Sequence, residues 1–261
     1  MIIDAHCHLW PDHLAPQVLA RRPAGLDPVS DGTVAGLRRT MESAGIDHAM
    51  VLGIAANART VQRTNEFIGS VDRACFTPFG TVHPGLQIEA NLASLRDNGI
   101  TGVKLHPLFQ ELSLGDPAVI DLVRALTAAR VVVITHAGGG SDAAANGRGA
   151  PAKLRALIEA VPEVTLIACH FGGYHRLDEA EELIVGSPVR LETSWPPRLG
   201  DLGRQRVRNL IRRHGADRVV YGSDWPMTDP AAEITAIRAL GLTPEEEAAV
   251  LGGNLAAILG L

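Results

Sequence analysis

Short apolar runs rich in β-branched residues alternate with amphipathic stretches along the whole chain. The runs predict strands at about 1–7, 48–54, 76–83, 102–106, 131–136, 164–170, 189–194 and 218–223. Between them, apolar residues recur at helical spacing. Over 33–44 these are Val34, Leu37, Met41 and Ala44, and over 117–129 they are Val119, Ile120, Val123 and Leu126. Similar patterns predict helices at about 152–161, 177–185, 202–214 and 231–240. Pro117, Pro151 and Pro230 fall at or near first-turn positions, where a missing N–H costs least.

Eight strands alternating with helices call for parallel strands joined by crossover helices. Eight such units close into a barrel, and 261 residues suit a (β/α)8 fold of about 250 residues. The expected architecture is a single α/β domain over 1–261, a TIM barrel. An open doubly wound sheet would carry a glycine-rich phosphate loop after its first strand. Here that strand ends in two histidines and no GxGxxG follows. Two long connections, 9–32 and 137–150, follow strand C-termini, the face on which barrel active sites are built.

Composition narrows the function. The chain is 46% hydrophobic and 20% charged, which excludes a disordered segment. A net charge of −5 argues against nucleic-acid and anionic-membrane partners, and 4% aromatics leaves few stacking platforms for bases. Cys7, Cys75 and Cys169 are odd in number and lack framework spacing, which fits a reducing cytoplasm. No basic leader with an apolar core and no apolar run of about 18 residues is visible, so neither a signal peptide nor a membrane span is expected.

The chemistry lies in the histidines. His6, His8, His83, His106, His136 and His170 all fall at or just past predicted strand ends, which a barrel gathers on one ring. Such a ring suits a metal, because neutral imidazole is the commonest nitrogen ligand. His6 and His8 share a strand face, with Cα atoms about 7 Å apart, and Asp4 lies one step deeper. By the same parity Cys7 and Cys169 point away and His170 points inward. His136 ends VVVITH, His170 ends VTLIACH, Lys104 lies within GVKLHP, and Asp224 ends VVYGSD with Gly222 leaving room beneath it. His83 and His106 either join the site or only shape the pocket. His48 and His214 read as unrelated to it, the latter as an imidazolium favouring a helix C-terminus. His13 and His175 stay open. Arg21, Arg22, Arg59, Arg148 and Arg198 in the loops could clamp a carboxylate, though a solvated surface role is the commoner one. Trp10, Trp195 and Trp225 follow strands 1, 7 and 8; they either wall a planar substrate or close the barrel top.

With IDAHCHLW, FGTVHP, GVKLHP, ITHAGG, ACHFGG and YGSDWP in this order, the chain resembles the amidohydrolase superfamily, and within it the amidohydrolase-related family 2. The closing LGGNLAAILGL resembles that family's C-terminal helix. The resemblance implies one divalent metal, usually zinc, held by His6, His8, His136 and Asp224, with His170 acting on substrate or water beside it. Three nitrogens, one carboxylate and a water also suit Zn²⁺ on chemical grounds. Superfamily members with two metals carry a carboxylated lysine at strand 4, and Lys104 occupies that place; the one-metal resemblance makes it a free pocket ammonium. The expected activity is hydrolysis of a small-molecule amide, ester or lactone by a metal-activated water, with His170, Asp224 and Lys104 catalytic. The alternative is non-oxidative decarboxylation of an unsaturated or aromatic acid. The expected partner is a small molecule, with a homodimer as a possible assembly.

Overall fold

The first strand buries both of its faces: Ile3, Ala5 and Cys7 on one, Asp4, His6 and His8 on the other. Burial on both faces is the condition of a parallel sheet covered by crossover helices. A computed structural model describes residues 1–22, 25–140 and 145–261; parts of both long connections, 23–24 and 141–144, lie outside the described residues. Eight parallel strands form one sheet in chain order. They are β1 (Ile3–His8), β2 (His48–Leu52), β3 (Phe76–Thr81), β4 (Gly102–Leu105), β5 (Val132–Thr135), β6 (Leu166–Ala168), β7 (Arg190–Glu192) and β8 (Val219–Val220). The helices are α1 (Ala15–Leu19), α2 (Val34–Ala44), α3 (Val61–Gly69), α4 (Ile88–Asp97), α5 (Pro117–Ala128), α6 (Pro151–Ala160), α7 (Leu177–Leu183), α8 (Arg204–His214), α9 (Pro230–Arg238), α10 (Pro244–Ala248) and α11 (Asn254–Leu259). The segment ending the last strand returns to the first. Ala5 N donates to Tyr221 O at 3.0 Å, His8 N to Trp225 O at 2.8 Å and Trp225 N to His6 O at 3.0 Å. This cyclic order is that of a (β/α)8 barrel.

The chain comprises two compact units. The first, Met1–Val51 with Asp72–Thr77 and Gly186–Leu261, contains β1, β7, β8 and most of β2. Its helices start where the sequence supplies caps. The Thr33 side chain accepts from Gly36 N at 3.0 Å, and α2 ends at Gly45 in the left-handed conformation. Asp229 caps α9 with Pro230 in its first turn, and Thr243 and Glu246 form a capping box on α10. After α10 a wider turn, Ala249–Gly253, leads into α11. Within that turn Val250 O accepts from Tyr221 N at 2.8 Å, which docks the C-terminal helix on the end of β8.

The second unit, Leu52–Val71 with Pro78–Val185, contains β4, β5, β6 and most of β3. Its register is Lys104 against Ile134 against Ile167. Gln110 fixes the loop after β4: its Nε2 donates to Ala55 O and Val82 O, and its Oε1 accepts from His106 N.

Several predicted strands are shorter than expected, β6, β7 and β8 most of all. The chain leaves β6 after Ala168, because His170 and Phe171 take φ of 58° and 51°. It leaves β8 after Val220, where side chains replace the ladder: Gly222 N donates to Thr193 Oγ1 and Ser223 N to Asp4 Oδ1.

Glu233 on α9 is a buried carboxyl in the first unit, accepting from Leu199 N at 3.2 Å. Burial, reinforced by Glu192, Asp4 and Asp229, pushes its pKa up to about 7. The unfolded chain releases this proton near the ordinary value of 4.5 while the folded chain keeps it to about 7. Stability from this group is therefore lost as pH rises through that window. Glu233→Gln is expected to melt about 5 °C above the parent at pH 8 and close to it at pH 4, as read by thermal melts across the range.

Candidate metal centre

In the first unit, His6 and His8 project from one face of β1, as their spacing requires. Their Nε2 atoms lie 3.1 Å apart. Asp224 Oδ1 stands 3.3 Å from the first and 3.4 Å from the second. Asp224 has φ of 64°, so a left-handed turn after β8 aims its carboxylate at the two imidazoles. Donors bound at about 2.0–2.2 Å to a four-coordinate cation stand about 3.3–3.6 Å from one another. The three observed separations are close to that triangle. Two neutral imidazoles and one carboxylate make a donor set that a divalent cation satisfies and a single shared proton does not.

Glu192, at the end of β7, holds His6 from behind. Its Oε2 lies 3.1 Å from His6 Nδ1 and accepts from Ser194 Oγ at 2.8 Å, while its Oε1 accepts from Ser194 N. A carboxylate on Nδ1 keeps the proton there and leaves the Nε2 lone pair for an ion. Gly222 makes this possible: a Cβ at that position would collide with the Glu192 carboxylate. The glycine therefore clears space for Glu192, not for Asp224 as the sequence suggested. Asp4 accepts from Ser223 Oγ at 2.6 Å, Ser223 N at 3.0 Å and His6 N at 2.9 Å, bracing β1 against the segment after β8. Burial pushes its pKa up to about 6. His8 Nδ1 is a buried atom without a hydrogen-bond partner, and its ring stacks on Trp10 at 5.9 Å.

In the second unit, His170 Nε2 lies 3.1 Å from His136 Nδ1, and His136 Nε2 lies 3.0 Å from Gly139 O. The His106 ring stacks on His136 at 4.4 Å and 13°. The loops carrying His136 and His170 are laced together: Tyr174 N donates to Ala137 O and Gly139 N to Tyr174 O. Gly138, at φ 100°, lies where any Cβ would strike the Tyr174 backbone. Lys104 is fully buried and its Nζ donates to Cys169 Sγ at 2.9 Å.

This last contact corrects the parity read from the sequence. Register places Lys104, Ile134 and Ile167 on one face of the sheet, and Cys169 is two residues beyond Ile167. Cys169 thus faces Lys104 rather than pointing away. His170 reaches His136 only because its backbone turns left-handed. Of the two readings open for it, Trp225 takes the closing one: it is fully buried with Nε1 donating to Thr40 Oγ1 and forms a wall against α2. His214 is a buried ring, Nδ1 accepting from Gly186 N and Nε2 facing Val189 O. Because Nδ1 accepts an N–H, the ring is neutral and not the imidazolium expected at the helix end, and burial lowers its pKa in the same sense. His48 lies against Thr77 Oγ1, and His83 Nδ1 accepts from Gly85 N, so both brace backbone or neighbours. Arg22 pairs with Asp27 and Arg198 with Asp201 at the surface.

Sequence reasoning missed Glu192. Its signal was a lone acid ending an apolar run, VRLETS, two residues before a serine on the same face.

The family model described as Amidohydrolase matches residues 3–261. No curated protein matches the chain. Among solved structures, an uncharacterised TIM-barrel protein from Bordetella bronchiseptica has a TM-score of 0.78 at 18% identity, covering 99% of this chain and 98% of its own. A dihydroxybenzoic acid decarboxylase from Polaromonas sp. JS666, with bound manganese and 2-nitroresorcinol, has a TM-score of 0.77 at 17% identity, covering 100% and 97%. A protein assigned as a 2-pyrone-4,6-dicarboxylic acid hydrolase from Pseudomonas putida has a TM-score of 0.70 at 20% identity, covering 99% and 97%.

Glu192→Gln keeps the volume but removes the carboxylate from His6. It is expected to weaken divalent-metal binding about 10–100-fold without unfolding the chain, as read by calorimetric titration of metal-free protein with Zn²⁺ and Mn²⁺. Unchanged affinity would mean that Glu192 does not orient His6.

Proposed function

This chain belongs to the amidohydrolase family, and on that premise we propose that it is a metal-dependent hydrolase of a small-molecule amide, ester or lactone, with 1–261 acting as one catalytic barrel domain. The observation that carries the reading is the convergence of His6 Nε2, His8 Nε2 and Asp224 Oδ1, with Glu192 fixing the tautomer of His6. His136 is proposed as the fourth ligand, exchanging one of its present partners, His170 or Gly139 O, for the ion. Zn²⁺ is the proposed metal, on the donor set.

A divalent cation held by these residues would supply Lewis acidity and make a water nucleophilic near neutral pH. Asp224 takes the water's proton and returns it to the leaving group. His170, fixed by its left-handed backbone, holds the polarised oxygen by a hydrogen bond. Lys104 contributes positive charge to a developing oxyanion. We infer a cytoplasmic location and a small molecule as partner, in keeping with three cysteines that form no disulfide. No described helix is long and apolar enough to cross a membrane.

Decarboxylation is the second reading, favoured by the manganese-bound decarboxylase neighbour. There the same residues would hold a cation able to bind the substrate's oxygens, while His170 or Asp224 delivers a proton to carbon as CO₂ leaves. A turnover screen of Zn²⁺- and Mn²⁺-reconstituted protein on esters, lactones, amides and unsaturated or aromatic acids separates the two. Mass spectrometry is expected to show added water; loss of CO₂ would establish the second reading.

Elemental analysis is expected to give one ion per chain, with Lys104 uncarboxylated. His8→Ala is expected to lose metal and turnover together. His170→Asn is expected to keep most of its metal while turnover falls about 10²–10⁴-fold, the contribution of a positioned acid–base group. Equal metal loss in both variants would make His170 a ligand.

A further inference from the structure

Lys104 and Cys169 form a pair that the proposed chemistry leaves unexplained. The lysine side chain crosses β5 to bring its Nζ within 2.9 Å of Cys169 Sγ, and both residues are fully buried. Sulfur is the protein atom most readily oxidised by peroxide, and a nitrogen beside an oxidised sulfur can capture it. No backbone movement is needed to join them, because register on β4, β5 and β6 already places both on one face.

We propose that Lys104 and Cys169 are a modification site: hydrogen peroxide or an organic hydroperoxide converts them to a sulfur–nitrogen cross-link. In the first step Cys169 Sγ attacks a peroxide oxygen and the O–O bond breaks. The departing hydroxide takes a proton from the pair and leaves as water. Sulfur is oxidised by two electrons to the sulfenic acid, peroxide is reduced, and a neutral amine stands beside it. In the second step the amine lone pair attacks sulfur. The S–O bond breaks, and the hydroxide leaves with an N–H proton as a second water. In sum, one thiol, one amine and one peroxide give one S–N bond and two waters. A thiol paired with an amine and a thiolate paired with an ammonium carry the same protons, so the balance is the same for either.

Burial gives the pair its selectivity. It bars glutathione-sized disulfides, so exchange is not the competing reaction. The adjacent amine also intercepts the sulfenic acid before a second peroxide can drive it to the irreversible sulfinic acid. Cys75, less buried and beside the Arg38 guanidinium, lacks an amine partner of this kind and is the internal control. Once the chain is unfolded or digested, dithiothreitol reopens the link by attacking sulfur and returning the amine. The cross-link removes the Lys104 amine, so turnover is switched off; that consequence rests on the function proposed above, whereas the cross-link does not.

The test treats the full chain, metal-free and Zn²⁺-reconstituted, with hydrogen peroxide, followed by digestion and mass spectrometry. The expected product joins the peptides of Lys104 and Cys169 at a mass lower than their sum by two hydrogens, about 2 Da. Trypsin no longer cuts after Lys104, and dithiothreitol restores both peptides. In Lys104→Arg no link forms, and Cys169 is instead labelled by dimedone or found as the sulfinic acid. The proposal is overturned if, in the parent chain, Cys169 is oxidised while trypsin still cuts after Lys104. It is equally overturned if Cys169 stays unmodified at peroxide levels that fully oxidise Cys75. A cross-linked chain with undiminished turnover upholds the link and counts instead against a catalytic role for Lys104.

Discussion

A fully buried carboxylate is costly unless protons are brought to it, and the candidate centre depends on how Glu192 meets that cost. Ser194 supplies both a hydroxyl and a backbone N–H, and His6 supplies a ring N–H. Once these are satisfied, the carboxylate fixes the imidazole in one tautomer and one orientation. The Nε2 lone pair of His6 then meets those of His8 and Asp224 within 3.4 Å. Gly222 belongs to the same device, since the carboxylate occupies the volume its side chain would take.

Two backbone turns complete the placement of functional groups. Asp224 and His170 both follow short strands and both adopt left-handed φ, a conformation uncommon for residues other than glycine. Each such turn costs free energy and persists because its surroundings over-determine it. Beyond Asp224, Met227 N donates back to Asp224 O at 2.8 Å; beyond His170, Gly173 N donates back to His170 O at 3.0 Å. The strands deliver the chain to the right level, and the turns redirect the side chains that a regular strand would have misaimed.

Hydrolysis and decarboxylation make the same demand on such a centre, because both ask a cation to polarise oxygen and a nearby acid to manage one proton. What distinguishes them is which bond of the substrate lies beside the proton carrier. The solved relatives include both kinds of enzyme at similar likeness, so the scaffold is neutral between them.

The alternation of strands and helices, the proline and threonine helix starts, and the pairing of His6 with His8 were legible in the chain because they are local. They follow from side-chain period and from backbone donors left open at helix ends. Asp224 was legible as a residue but not as a geometry, since its aim depends on a positive φ that no local pattern announces. The roles of Cys169, Glu192 and Gly222 were decided only by tertiary structure. Cys169 faces Lys104 because of inter-strand register, which a single strand does not encode. Glu192 matters because it meets a histidine 186 residues away, and an acid at a strand end has no meaning until the opposing side chain is in place.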